Sequence, residues 1–334
     1  MPPSAPRESV LAVEATAPCR VDLAGGVVAG FAEALRPAAA ISVGVALDRR
    51  AHCGVLTIPA GVRVESKDTL LKLEVPRVAD LPTEGVPGLV RHVLLALGAE
   101  SGLLVVTQAR VPFEAGLGSA TALAVAVAAA TARARGRTLA AGELPALVHG
   151  LPGAASGAAV DALLAAGGGV AGAAIAASQG AAVERLRVDP ARIEECLLLV
   201  DPASGTPIEA VTDEARVKAA LAEIADGALR MRETLAAGRA SAVTDLVAAE
   251  HEAWVRLGLV ARGGPAEDIA RLARAAGGAA RLCGREARSL VLVWAEPGER
   301  RDGPKEAVAA ALKAAGYRTF PCRLDLRGLE VEEA

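Results

Sequence analysis

The spacing of apolar and polar positions over the first third of the chain predicts mainly β-strands. The segments "SVLAVEAT" (9–16) and "AISVGVALDRRAHCGVLTI" (40–58) are rich in β-branched residues with polar interruptions, as half-buried strands are. The segment 88–100 has helical spacing and ends near a glycine, and "GLLVVTQARV" (102–111) is typical of another strand. We therefore expect this part of the chain to mix strands and helices.

A long apolar helix and a glycine-rich stretch dominate the next part of the chain. A loop is predicted at 112–119, followed by an Ala-rich helix over about 120–135. Residues 150–172 contain many glycines around one acidic residue, Asp161. That carboxylate is a candidate for chemistry, and its structural alternative is an N-terminal cap for a helix at 162–166.

The second half changes character, because its helices are charged and amphipathic. The segment "PAEDIARLARAAG" (265–277) begins with Pro and acids and ends with Arg and Gly, which are usual helix start and stop signals. The other predicted elements are helices at 140–149, 208–238, 240–258 and 304–316 and strands at 196–201, 288–296 and 317–326. We place a domain boundary near residue 185, which gives an α+β chain with domains at 1–185 and 186–334.

The composition indicates what the cores are made of. With 334 residues, the chain is longer than one hydrophobic core usually supports, which agrees with two domains. Aromatic residues make up only 2%, so the cores must be built from Ala, Val and Leu.

Charge and cysteine content limit the expected partners. The formal net charge is −3, and the sequence has no Lys/Arg cluster with interleaved aromatics, so we expect no nucleic acid partner. The longest uncharged apolar stretch, 162–177, is broken by glycines and short for a membrane span, and the first residues lack the apolar core of a secretory signal. Five scattered cysteines without metal-ligand spacing indicate a reducing compartment, so a cytoplasmic protein is expected. Nothing in the sequence fixes the oligomeric state.

The stretch "VPFEAGLGSATALAVAVAAA" (111–130) places a glycine turn between a strand and a helix. Backbone N–H groups at a helix N-terminus point outward and carry partial positive charge, which suits a phosphate. Gly116 and Gly118 would let the backbone approach such an anion closely, and Ser119 would add a hydroxyl at the cap.

The glycines alone leave other interpretations open. A tight turn that caps a core helix is as consistent with them as a phosphate loop is. A dinucleotide-binding fingerprint needs a third glycine where this chain has Thr121, and the next acid, Glu143, follows no predicted strand. A phosphate loop of the Gly-Lys-Ser/Thr type is excluded because the lysine is missing.

The whole loop, together with several other segments, resembles the GHMP kinase family, whose phosphate loop runs approximately Pro-x-Gly-x-Gly-Leu-Gly-Ser-Ser-Ala. The segment "APCRVDLAGG" (17–26) resembles the N-terminal motif of the sugar-phosphate kinase branch, which includes heptose 7-phosphate kinase and fucokinase-like enzymes. "VDALLAAGGGVAG" (160–172) is similar to that branch's Gln-Asp-x-Tyr-Ala-Ala-x-x-Gly-Gly motif. Four later segments follow the family's C-terminal domain in order: 234–254, 269–284, 290–297 and 317–331.

The resemblance implies a two-domain GHMP kinase fold, with a ribosomal protein S5 domain 2-like N-terminal domain and a ferredoxin-like C-terminal domain. It also implies that ATP, with Mg²⁺, donates its γ-phosphate to a small-molecule hydroxyl, largely through positioning and charge neutralisation. Asp161 would orient or deprotonate that hydroxyl. The nucleotide would lie on Glu114, Ala115, Gly116, Leu117, Gly118, Ser119, Ala120 and Thr121, with Ser119 as a metal ligand. A sugar or sugar phosphate would contact Arg20, Asp22, Gly25 and Gly26. The alternative for Arg20 and Asp22 is an ordinary solvated strand edge.

Near the nucleotide, the chain departs from the family pattern at three positions. The second loop serine, often a Mg²⁺ ligand, is Ala120, and Thr121 beside it points about 100° away around the helix. The first loop glycine is Glu114, whose carboxylate is unfavourable beside a triphosphate unless it points away. A metal-binding Glu of the family is replaced by Val148 or His149, and Mg²⁺ prefers oxygen ligands.

Two further departures affect the acceptor and the loop that braces ATP. The N-terminal motif continues "GGVVAG" instead of Gly-Gly-x-Thr-Asp, so an acid that contacts the sugar is missing. The family's Gly-Ala-Gly-Gly-Gly-Gly loop appears as "GREARS" (284–289), and we expect Arg285, Glu286 and Arg288 to prevent the same backbone packing. Arg285 or Arg288 could contact phosphate instead, or the segment could be a solvated hairpin.

Two functions from different classes follow from this pattern. The first is an ATP-dependent kinase that phosphorylates a hydroxyl of a sugar or sugar phosphate. The second is a protein of the same fold that has lost phosphoryl transfer and binds a ligand or a partner protein. The identity of the acceptor stays open, because the sugar-contact motif is the part that differs.

Overall fold

The computed structural model describes residues 12–31, 40–140, 142–152, 158–176, 180–203, 212–286, 288–297 and 303–333. Within them the α-helices are α1 Gly85–Ala96, α2 Ser119–Ala134, α3 Glu143–His149, α4 Ala158–Gly167, α5 Pro190–Cys196, α6 Glu214–Ala236, α7 Val243–Arg256, α8 Pro265–Ala275 and α9 Pro304–Ala314. The strands are β1 Ala12–Ala24, β2 Ala40–Thr57, β3 Val62–Ser66, β4 Leu71–Val75, β5 Leu103–Ala109, β6 Val170–Ala176, β7 Gly180–Arg185, β8 Leu197–Asp201, β9 Ala279–Leu282, β10 Val291–Trp294, β11 Arg318–Pro321 and β12 Glu330–Glu333.

The strands form two sheets. The larger, eight-stranded sheet has the order β12-β1-β2-β5-β3-β4, with β6 paired to β2 and β7 paired to β6. Its pairs are antiparallel, apart from the parallel pair β3–β5. The smaller sheet is antiparallel with the order β11-β8-β10-β9. This order, with α6–α8 between β8 and β9 and α9 between β10 and β11, is the expected ferredoxin-like arrangement.

Strand β1 lies between β12 and β2 in the larger sheet and is covered by helices over its second half. Its first residues alternate between buried and less buried positions, as expected for a strand with one solvated face. From Ala17 to Ala24 every residue except Arg20 is buried, because helices α2, α4, α6 and α7 all pack against this strand. Arg20 and Asp22 therefore lie on a strand covered by helices, and the solvated-edge alternative for these two residues is wrong.

Helix α2 is the main helix of the first sheet. Nearly all of its residues are buried against α1, β1, β2 and β5. Alanine has the highest helix propensity and a small side chain, so an Ala-rich helix can lie close to several neighbours at once. The predicted helix at 120–135 is confirmed to within a residue at each end.

Several elements differ from the sequence-based expectation. The hairpin β3–β4 and the strands β7 and β12 were not predicted, because their segments are short or polar. The glycine-rich segment 150–172 contains α4, which begins at Ala158, so Asp161 lies within the first turn of the helix and is not its N-cap. Parts of predicted segments lie outside the described residues, at 9–11, 141, 153–157, 208–211 and 287.

The two halves of the chain are closely connected. Strand β12 returns to the larger sheet and pairs with β1. A buried ion pair between Arg50 of β2 and Asp325 secures this return. The interval 186–334 therefore contributes to both sheets, and the boundary near residue 185 stays a prediction. In the described part of the chain, no helix is long and apolar enough to cross a membrane.

Candidate functional site

The glycine loop connects β5 to α2. Residues Phe113–Ala115 form one 3-10 turn, and Gly116 (φ 72°) and Gly118 (φ 62°) adopt left-handed conformations before α2 begins at Ser119. Glycine is needed at these positions because other residues rarely adopt positive φ. Gly118 is the N-cap and supplies no side chain, so the first N–H groups of α2 have no capping partner there. Such an end of a long helix is suited to bind phosphate oxygens.

Ser119 has a different role from the one expected. It is fully buried, and its hydroxyl donates a hydrogen bond to the Pro112 carbonyl oxygen at 3.0 Å. The expectation that this hydroxyl caps α2 is therefore wrong, because the group ties the start of the helix back to the start of the loop. This geometry gives no support to Ser119 as a metal ligand.

The turn between β9 and β10 braces the glycine loop. The Leu290 N–H donates to the Ala115 carbonyl at 3.0 Å. A Cβ atom added to Gly116 would lie 2.6 Å from the Gly284 nitrogen, so the two backbones are in direct contact. Gly284 is the one glycine that the "GREARS" segment keeps, and the expectation that this segment cannot pack against the loop is corrected at that position. The charged residues of the turn are exposed: Arg285, Glu286 and Arg288.

Arg20 connects the glycine loop to Asp161. Its backbone N–H donates to the Leu117 carbonyl at 2.9 Å, and its side chain passes beneath Gly118, where an added Cβ would lie 3.2 Å from the Arg20 Cγ. The guanidinium then meets Asp161 Oδ1 through Nε at 2.8 Å and Nη2 at 2.6 Å. Residues 141 positions apart in sequence are thereby brought together at the loop.

Asp22 holds the other side of the Arg20 guanidinium. Arg20 Nη1 lies 2.6 Å from Asp22 Oδ2, and the Ser42 hydroxyl donates to Asp22 Oδ1 at 3.1 Å. Strand β1 changes register against β2 between Pro18 and Arg20 and again between Asp22 and Ala24. Such irregularities re-aim side chains next to functional sites. Because both Asp22 oxygens are engaged and the residue is buried, its geometry suits orienting Arg20 more than contacting a ligand directly.

Burial controls the charge state of this cluster. Asp161 is only 7% exposed, and this burial raises its pKa to about 6, although Arg20 acts in the opposite direction and Asp22 adds to the rise. For Arg20, burial opposes the charged form, but Asp161 and Asp22 outweigh it and raise the pKa. The Asp161 carboxylate therefore has a pKa of about 6 and lies beside the Arg20 guanidinium, which stays charged.

The two predicted glycines beyond β1 make a tight turn. Gly25 has a φ of 83°, and a Cβ there would lie 2.2 Å from the Ile41 carbonyl oxygen. A Cβ on Gly26 would lie 1.8 Å from Asp22 Oδ2, so the turn folds directly over that carboxylate. Gly25 is therefore required by space and by its backbone conformation, and Gly26 is required by space.

Sequence reasoning missed two buried charged residues behind this turn, Glu250 on α7 and Arg281 on β9. Their side chains contact the backbone of the turn at Gly25 and Asp22. The available signal was a charged residue on the apolar side of a helix or within a short apolar strand, where a buried partner is required.

Among the described residues, the side chains do not form a complete cage for a metal ion. They contain no group of three or more His, Cys, Asp or Glu side chains placed to hold a metal ion. Val148 is buried in the core and His149 is exposed at the end of α3, while Ala120 has no ligand atom. Mg²⁺ usually keeps several water ligands and binds through one or two carboxylates together with substrate phosphates, so these side chains would supply at most part of its coordination shell.

A cavity of about 520 Å³ adjoins the glycine loop on the side of the smaller sheet. Its walls include Glu114 and Leu117 from the loop and Leu199 and Phe320 from the smaller sheet. The volume is that of a small-molecule pocket. Glu114 is exposed and lines this cavity, whereas Arg20 and Asp161 do not line it.

Comparisons with known proteins agree with the geometry. Residues 86–169, which include the glycine loop and Asp161, match the family described as GHMP kinases N terminal domain. The search of curated proteins found no match.

Solved structures share the fold over nearly the whole chain. A D-glycero-D-manno-heptose 1-phosphate kinase from Bacteriodes thetaiotaomicron has a TM-score of 0.74 at 17% identity, covering 96% of this chain and 99% of that one. Galactokinase from Lactococcus lactis, solved with galactose, has a TM-score of 0.73 at 11% identity, with 98% and 96% covered. Streptococcus pneumoniae phosphomevalonate kinase, solved with phosphomevalonate and AMPPNP, has a TM-score of 0.65 at 12% identity, with 96% and 99% covered. At these identities the likeness shows the fold, and the two-domain expectation is confirmed.

Proposed function

We propose that this chain is an ATP-dependent kinase of the GHMP type, which transfers the γ-phosphate to a hydroxyl of a sugar or sugar phosphate. The observation that carries the proposal is the path from the glycine loop through Arg20 to Asp161. The Arg20 side chain packs under Gly118, and its guanidinium nitrogens lie 2.6–2.8 Å from Asp161 Oδ1. The loop is suited to bind phosphate, and Asp161 is suited to bind an acceptor hydroxyl.

The nucleotide phosphates bind to backbone N–H groups of residues 116–121. The N-terminal end of α2 favours negative charge, and Gly116 and Gly118 expose the backbone. The brace from Gly284 and Leu290 keeps this loop rigid, which matters because phosphoryl transfer depends mainly on positioning and charge stabilisation.

Asp161 accepts or orients the proton of the acceptor hydroxyl. Both contacts from Arg20 go to Oδ1, so Oδ2 is the oxygen left for the acceptor. A pKa of about 6 makes Asp161 a stronger base than an ordinary carboxylate while leaving it mostly ionised at neutral pH. The acceptor binds against Arg20 and the Gly25–Gly26 turn, with Asp22 orienting Arg20.

Mg²⁺ enters with the nucleotide. Because the described side chains do not form a cage for the ion, its ligands come mainly from phosphate and water oxygens. No step of the proposal passes through a metal held by the protein.

A second candidate is a protein that binds nucleotide but no longer transfers phosphate. It is favoured by Ala120 and by the absence, among the described residues, of a carboxylate cluster for the metal. The two candidates differ in one measurable property, which is turnover.

The test is transfer of label from γ-³²P-ATP to a panel of free hexoses, heptoses and their phosphates, with and without Mg²⁺. We expect Mg²⁺-dependent labelling of at least one sugar or sugar phosphate. Binding of AMPPNP without labelling of any acceptor would favour the second candidate. If the protein neither bound AMPPNP nor labelled any acceptor, the proposal would be contradicted.

A further inference from the structure

A buried ion pair from the second half of the chain lies behind the turn at residues 22–26. We call this segment the acceptor turn, because the proposed acceptor binds against it. Glu250 Oε1 of α7 and Arg281 Nε of β9 are 3.7 Å apart, and the two residues are only 5% and 1% exposed. Replacing such a pair by apolar residues is often neutral or stabilising, because both charges lose their hydration on burial. Stability alone is therefore a weak explanation for this pair.

Both members of the pair also bind the backbone of the turn. The Gly25 N–H donates to Glu250 Oε1 and Oε2 at 3.2 and 3.3 Å. Arg281 Nη2 donates to the Asp22 carbonyl oxygen, and Nη1 donates to the Leu282 carbonyl at 2.7 Å. One charged side chain thus holds each end of the turn from Asp22 to Gly25.

Trp254 completes the cluster and keeps the pair in place. Its Nε1 donates to Glu250 Oε1 at 3.3 Å, and the Arg281 guanidinium lies over its ring at 5.4 Å from the centroid. Trp254 is 2% exposed, so the whole cluster is shielded from water. In such surroundings hydrogen bonds to charged groups are strong and geometrically restrictive.

A shift of the turn would change the position of Asp161, the proposed base. The Asp22 backbone is held by Arg281, its side chain holds Arg20, and Arg20 holds Asp161. Gly26 is packed against the same Asp22 carboxylate, so the turn and the carboxylate cannot move independently.

We propose that Glu250 and Arg281 are positioning residues that fix the Asp22–Gly25 turn, and through it Arg20, for acceptor binding. This inference rests on the proposed acceptor role of Arg20 and the turn. Neither residue touches the acceptor, and both act through the backbone contacts described above.

The decisive variant removes the turn contacts but preserves packing. In Glu250→Leu/Arg281→Met both charges are removed together, so no unpaired buried charge remains. Hydrogen exchange measured by mass spectrometry should rise about tenfold or more in peptides covering 22–31, because Gly25 and Asp22 lose hydrogen bonds to charged groups. Peptides covering the glycine loop at 112–121 should keep their protection, and the thermal unfolding midpoint should stay close to that of the wild type.

Glu250→Gln is the second variant, and Glu252→Gln is its matched control. Glu252 lies on the same helix, but it is exposed and pairs with Arg274 at the surface at 3.2 Å. Glu250→Gln should raise exchange at 22–31 and raise the KM for the acceptor labelled by the wild type about tenfold, with the KM for ATP nearly unchanged. Glu252→Gln should change none of these quantities.

The outcomes separate this inference from the proposed function. Unchanged exchange at 22–31 in both Glu250 variants would overturn the inference, and so would an equal rise throughout the chain. Failure of the wild type to label any acceptor would contradict the proposed function, while the exchange experiment would still test the positioning of the turn.

Discussion

The glycine loop and the acceptor turn are both held rigidly, but by different kinds of contacts. The loop consists of consecutive residues, 112–121, and it is fixed by backbone conformation, close backbone packing and one buried hydroxyl. The turn depends on charged side chains that lie 225 and 259 positions away in sequence, Glu250 and Arg281. The proposed nucleotide site is thus built on one local motif with a backbone brace from Gly284, while the proposed acceptor site depends on charged side chains from distant parts of the chain.

This difference explains which departures from the family pattern matter. The loop tolerates Glu114 because that side chain is exposed and faces the cavity. The "GREARS" segment tolerates Arg285 and Glu286 because the contact with Gly116 needs only Gly284. The acceptor turn instead carries "GGVVAG", and its surroundings are supplied by residues that no short motif contains.

The largest effect is expected for Asp161→Asn. Loss of the proton acceptor should lower kcat by roughly 10²–10⁴-fold, while AMPPNP binding measured by calorimetry stays unchanged. Steady-state assays with the acceptor labelled by the wild type provide the comparison. A fully active variant would remove Asp161 from the mechanism.

Gly116→Ala should break the loop itself. The new Cβ would lie 2.6 Å from the Gly284 nitrogen at a φ of 72°, so both the backbone and its brace must shift. Gly136→Ala is the matched control, because Gly136 has a φ of 73° and nothing within 4 Å of an added Cβ. Gly116→Ala should lower the free energy of unfolding by about 1–3 kcal/mol more than Gly136→Ala in urea titrations, and it should abolish AMPPNP binding. Equal effects of the two substitutions would show that the contact with Gly284 is unimportant.

Activity should depend on pH through Asp161. Since its pKa is raised to about 6, the carboxylate is ionised above that pH and protonated below it. We expect kcat/KM to fall about tenfold per pH unit as the pH is lowered below about 6, because only the ionised form accepts a proton. A profile that is flat down to about pH 4.5 would indicate an ordinary carboxylate pKa or a different group.

The smallest effect is expected for Glu114→Gln. This loop carboxylate is exposed, so its repulsion of phosphate is screened by water and salt. The Kd for AMPPNP should decrease by no more than a few-fold in calorimetric titrations, which is typical of an exposed charge. A change of a hundredfold would show that Glu114 faces the nucleotide directly.

Much of the local structure could be predicted from the sequence. The strand, glycine loop and helix around 103–134 follow from apolar runs and turn residues, and helix α8 follows from its start and stop signals. The role of the Ser119 hydroxyl could not be predicted, because its partner at Pro112 is fixed only by how the loop folds back. Glu250 and Arg281 could not be paired with the turn, because their contacts depend on the packing of α7 and β9 behind β1.

The most direct test of the account is calorimetric titration of the full chain with AMPPNP, with and without Mg²⁺. The account predicts micromolar binding, about −8 kcal/mol, that is strengthened by Mg²⁺ arriving with the nucleotide phosphates. Absence of binding in both conditions would contradict the central claim that the glycine loop is a nucleotide phosphate site.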